Sequence, residues 1–238
     1  MARVDPSVLE MPVGDAAGTM PYFSHIDLWL RAEVDGLSDA QLDLDDQSPE
    51  RELMWWSIRR QISHIAWVSL IFAKRRCGML LWPDGDIPEP IVWAEHHQGR
   101  NNKHGLRLDP ELFWEVPDLL DKLDLGLSWM RYVVASHRVE TFREMVESRH
   151  STLFWDDAIT VLPRGAWHDP DDERMIVNTL ECAIWMLFYE MASHIRSIQR
   201  IKEIQGLASV VELTRFGYLR LPHYWGETDA PAPSITKL

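Results

Sequence analysis

The chain has 238 residues, 46% hydrophobic and 26% charged, enough apolar material for a buried core and too much for a disordered polymer. Its 24 Lys plus Arg against 37 Asp plus Glu leave a formal net charge of −13, which repels polyanions and argues against nucleic acid as a partner. No run approaches the roughly 18 apolar residues of a membrane span, the N-terminal stretch MARVDPSVLEMPVGDAAGTM has no apolar leader, and Cys77 and Cys182 form no thiolate zinc pattern; a cytoplasmic protein away from the membrane is expected.

The first predicted helix runs from Tyr22 to Leu37. Phe23, Ile26, Leu30 and Val34 recur at three- and four-residue steps, and Gly36 marks the end. The second begins after Ser57 as N-cap and turns Ile58, Ile62, Ile65, Val68 and Phe72 to one side. Lys74, Arg75 and Arg76 stand where cations complement a helix dipole, and Gly78 stops it. Residues 79–108, with WPDGDIPEP and HHQGRNNKHG, read as a long irregular excursion. A third helical segment spans Asp109 to Val146, with a break near Pro117 and a stripe of Leu119, Leu123, Leu127, Met130 and Val134. A second irregular stretch covers residues 148–172. The fourth helix covers Glu173 to Gln205 and carries the clearest repeat, through Leu180, Ile184, Leu187, Met191, Ile198 and Ile201. Four amphipathic helices with long loops predict an all-α fold, a four-helix bundle with long crossover connections. The expected organisation is a single domain over residues 1–238, with its core in about 20–205 and a tail, 206–238, packing on the surface.

Within the fourth helix, the repeat assigns position 194 to the core, yet the residue there is His194, with Glu190 one turn earlier on the same face. A buried carboxylate demands a counter-charge, a metal or a shifted pKa. His64, two turns into the second helix beside Val68 and Ile71, offers a third ligand. Two His and one Glu leave a coordination position open, the layout of a catalytic rather than a structural site. The candidate metal ligands are therefore His64, Glu190 and His194, with a hydrogen-bonded core histidine as the alternative. His25 is either a structural residue or a fourth ligand or proton carrier, and the cluster His96, His97 and His104 reads as a solvated loop. Cys182 lies eight residues before Glu190, about 12 Å along the helix, and reads as packing. Twelve Trp is the compositional oddity; Trp82, Trp93, Trp155, Tyr224 and Trp225 are expected to flank an opening above the metal.

The run Leu37-Ser38-Asp39-Ala40-Gln41-Leu42-Asp43, followed by Trp56-Ser57-Ile58-Arg59 leading into His64, resembles the opening half of the DinB-like superfamily of metal-binding four-helix bundles. Glu190 and His194 match the ligand pair on that family's last helix, and a His/Glu/His set resembles the branch that includes mycothiol-dependent maleylpyruvate isomerase. The resemblance covers about residues 20–205. It departs from the family's common His-x-Gly-Gln pattern, reading His194-Ile195-Arg196-Ser197. It implies a divalent metal, zinc first, with nickel and iron as alternatives, and a homodimer. It also implies a thiol-dependent S-transferase or isomerase that joins a low-molecular-weight thiol to a small electrophilic substrate. A metal-dependent hydrolase, a non-haem iron enzyme and a non-catalytic helical binding protein are the competing readings.

Overall fold

The computed structural model describes residues 15–16, 22–44, 56–86, 106–150, 153–162 and 165–227. Of these, 62% are helical and 8% are in strands, so the chain is chiefly helical as expected. The helices are α1 (Phe23–Val34), α2 (Asp39–Leu42), α3 (Ile58–Phe72), α4 (Val116–Ala135), α5 (Val139–Glu144), α6 (Leu153–Val161), α7 (Leu180–Ile204) and α8 (Pro222–Trp225). After Phe72, α3 widens into a π turn over Ala73–Gly78 and closes with one α turn, Met79–Leu81. A short 3-10 turn, Gly217–Arg220, precedes α8. The chain divides into two compact units: residues 1–27 with 62–145, and residues 28–61 with 146–238. The boundaries fall inside α1 and α3, both of which run unbroken through them.

The first unit is built on the later part of α3 and on α4. Leu119, Leu123, Leu127, Met130 and Val134 form the buried line of α4 that the periodicity predicts. The two helices meet at Gly126, where an added Cβ would collide with Ser69, including its carbonyl carbon at 2.9 Å. The close approach therefore requires glycine despite its cost in a helix interior. Residues 106–108 run beside α3, with the Leu108 amide donating to the Ser63 hydroxyl at 3.1 Å.

In the second unit, β1 (Val146–His150), β2 (Ala166–His168) and β3 (Met175–Thr179) form an antiparallel sheet in the order β1-β3-β2. Glu147 and Ala166 both stand opposite Asn178. The buried Asn178 donates to Glu147 Oε1 at 3.1 Å, and Arg149 donates to Asn178 Oδ1 at 2.8 Å, linking β1 to β3 through their side chains. Along α7, Leu180, Ile184, Leu187, Met191, Ile198 and Ile201 are all buried. Phe188 stacks on Phe216 with ring centres 5.5 Å apart, and Tyr218 stacks on Tyr224 at 5.4 Å. Gly217 has φ +47°, and a side chain there would overlap the Tyr189 ring.

Two predicted boundaries are corrected. The third helical segment does not run from Asp109 to Val146: Pro117 sits in the first turn of α4, where its missing N–H is no loss, so it starts a helix instead of breaking one. The segment then divides into α4, α5 and β1. The fourth helix does not begin at Glu173. Residues 175–179, Met-Ile-Val-Asn-Thr, are strand β3, because a short β-branched run with alternating burial pairs on both edges. Thr179 then caps α7, its hydroxyl accepting the Cys182 amide at 3.1 Å.

A buried ion pair ties α1 to α7. Glu33 and Lys202 are 0% and 4% exposed at their side chains, 2.5 Å apart. The Glu33 carboxylate also accepts from Gln199 at 2.8 Å and from the amides of Val210 and Val211 at 3.0 and 2.8 Å. Burial alone would raise the Glu33 carboxyl, but the Lys202 hydrogen bond and these further donors hold it below its ordinary value. Replacing Lys202 by Met should cost about 3–5 kcal/mol in urea unfolding by stranding a buried carboxylate, and adding Glu33→Gln should recover part of the loss. With the folded pKa below the ordinary 4.5, this stabilisation is present above pH 4.5 and lost as pH falls through the folded value; the double variant should lose less stability across that acid range.

Candidate metal centre

The second unit presents Glu190 and His194 on one face of α7. His194 is 3% exposed at its side chain and Glu190 20%, with His194 Nε2 3.2 Å from Glu190 Oε1. On the far side of the ring, His194 Nδ1 faces Oε1 of Gln61, a fully buried side chain in the first turn of α3. The Gln61 amide is oriented by its own nitrogen, which donates to the Trp56 carbonyl at 3.4 Å. Its oxygen therefore accepts, and the proton sits on Nδ1 of His194.

A neutral ring with its proton on Nδ1 carries a lone pair on Nε2. That lone pair faces a carboxylate oxygen, and two acceptors at 3.2 Å repel unless a positive charge stands with them, either a second ring proton or a metal ion. His64 is arranged the same way. Its Nδ1 lies 2.6 Å from the Leu106 carbonyl, which only accepts, so Nδ1 carries the donated proton. His64 is 2% exposed and lies one turn beyond Gln61 on the unbroken α3.

Of the three expected ligands, Glu190 and His194 stand in the second unit and His64 in the first. Nitrogen and oxygen donors at about 2.0–2.2 Å from a tetrahedral ion stand roughly 3.4 Å apart, so the Glu190–His194 pair already has the required spacing. Imidazole and carboxylate donors suit a divalent ion of borderline softness.

The other predicted residues are placed differently. His25 is exposed on α1 with its ring 6.1 Å from Tyr22. His96, His97, His104 and Trp93 lie outside the described residues. Trp82 meets the edge of His137 at 5.4 Å, Trp155 lies under the Arg149 guanidinium at 4.5 Å, and Trp225 lies between Arg196 and Arg215 at 5.1 and 4.8 Å. Tyr218 is fully buried, and burial followed by the Glu190 charge pushes its phenol well above the usual range, so it remains a proton donor.

Sequence reasoning missed Gln61 and the Leu106 carbonyl. The signal for Gln61 was a polar residue on the apolar line of α3, one turn before His64; a backbone carbonyl leaves no such trace. Cys182 holds to its packing role, with burial pushing its thiol up to about 12. It should therefore resist alkylation by iodoacetamide at pH 8 in the folded protein and react once urea unfolds the chain, as read by mass spectrometry. No family model, curated protein or solved structure matches the chain.

Proposed function

We propose that the chain is a divalent-metal-dependent enzyme whose ion is held by His64, Glu190 and His194. The observation that carries this reading is the pair at His194: the ring's Nε2 and the Glu190 carboxylate oxygen face each other at 3.2 Å, the spacing of two donors on one cation. The shared arrangement of the two histidines supports it, since ligating imidazoles usually donate their other N–H to an oxygen. Zinc is the proposed ion, with nickel and iron as alternatives.

The fold reading that accompanies it is a DinB-like four-helix bundle, supported by the helical content and by Glu190 and His194 sharing one face of α7. The reaction we propose is the transfer of a low-molecular-weight thiol to a small electrophile, or a thiol-assisted isomerisation. When bound, the ion supplies Lewis acidity and lowers the pKa of a coordinated thiol or water. Both cysteines are buried, and burial holds the Cys182 thiol protonated, which favours a thiol brought as a co-substrate. Glu190 contributes the ligand set's negative charge, and the buried Tyr218 phenol keeps its proton near that carboxylate.

Protein purified without chelator or affinity metal should contain one divalent ion per chain by elemental analysis. His64→Ala should lose most of it while keeping the helical spectrum; stoichiometric metal in the His64, Glu190, His194 triple-alanine variant would overturn the assignment. The resemblance further proposes a homodimer. Light scattering should give about twice the 27.7 kDa chain mass, and a concentration-independent monomer mass would defeat that claim.

A further inference from the structure

We infer that Gln61 is the positioning residue for His194, fixing by one hydrogen bond which ring nitrogen is offered to the ion; the inference rests on the proposed metal site. Gln61 is fully buried, and its amide is pinned at both ends, the nitrogen on the Trp56 carbonyl at 3.4 Å and the oxygen on His194 Nδ1. With Nδ1–H spent on that oxygen, the ring turns Nε2 toward Glu190 Oε1, 3.2 Å away. The imidazole can then neither rotate about its Cβ–Cγ bond nor exchange tautomers without breaking a buried hydrogen bond.

The choice of amide also sets charge. A carboxylate at position 61 would make the same hydrogen bond but add a second negative charge beside the ligands. Gln61 orients the ring and leaves Glu190 as the ligand set's only anion. Its oxygen is thus the feature that matters for orientation, and a side chain without an acceptor should fail where Glu succeeds.

The test uses the full chain loaded with cobalt(II). Native protein should show one solvent-exchangeable, hyperfine-shifted imidazole N–H proton resonance for each coordinated histidine. Gln61→Leu should lose the His194 resonance to solvent exchange and bind cobalt about 10–100-fold more weakly in chelator competition, while Gln61→Glu should keep both resonances and bind at least as tightly as native. Unchanged affinity and both resonances in Gln61→Leu would overturn the role of Gln61 while leaving the metal reading intact. Failure of native protein to bind cobalt would overturn the metal reading and this inference with it. Should Gln61→Leu not fold, native protein loaded with zinc and labelled with 15N-histidine decides the point: a protonated Nδ1 on His194 upholds the inference, and a protonated Nε2 overturns it.

Discussion

The imidazole of His194 is shut away from water with an oxygen acceptor against each ring nitrogen, and much of the second unit is organised to keep it there. Gln61 holds one side only because the head of α3 is fixed. That head is fixed by Arg59, 2% exposed, whose guanidinium reaches Asp43 and Asp39 at 2.6 Å each. On the other side, α7 is fixed toward its C-terminal end by Lys202 and Gln199 on Glu33. Apolar contacts between helices tolerate sliding by an ångström, whereas hydrogen bonds weaken steeply with distance and angle. A site that needs two helices in one register is therefore better held by a few buried polar clasps than by more leucine.

Several residues that carry the family resemblance turn out to have architectural work. Gln41 Oε1 accepts from the Ser38 amide at 2.8 Å, closing the start of α2, while Asp39 and Asp43 present their carboxylates to Arg59. Asp39, Asp43 and Arg59 thus form a bracket that fixes the head of α3, and hence where Gln61 stands. A pattern of this sort marks a way of placing ligands as much as the ligands themselves.

Legibility in the sequence depends on how long a signal persists. The stripe of α7 repeats over 25 residues and was legible in full, including the anomaly at His194. Strand β3 is five residues long, adjoins that stripe and offers too few alternations to outweigh it, so its Met-Ile-Val-Asn-Thr merged with the helix. Glu33 and Lys202 were hidden for a different reason. Each is a charged residue on a helix face that periodicity assigns to the core, and without the partner in view it passes as an edge of the polar face. The pair Glu190 and His194 was legible because an apolar line rarely carries two ionisable residues four apart unless they share a ligand or a counter-charge. The acceptors behind the rings had no comparable signature.

The π turn after Phe72 has a consequence for chain length. Counting in α-helical steps from Phe72 would bury position 76 and then Met79, yet Cys77 and Leu81 are the buried residues and Met79 is 78% exposed. The wide turn absorbs one residue in the five-residue step from Phe72 to Cys77, so everything beyond it keeps the line set by Ile58, Ile62 and Ile65. An ordinary helix one residue shorter would present the same core. Residues 73–76 therefore form an expansion joint, a place where the polypeptide can gain or lose a single residue without rotating the helical turn from Met79 to Leu81.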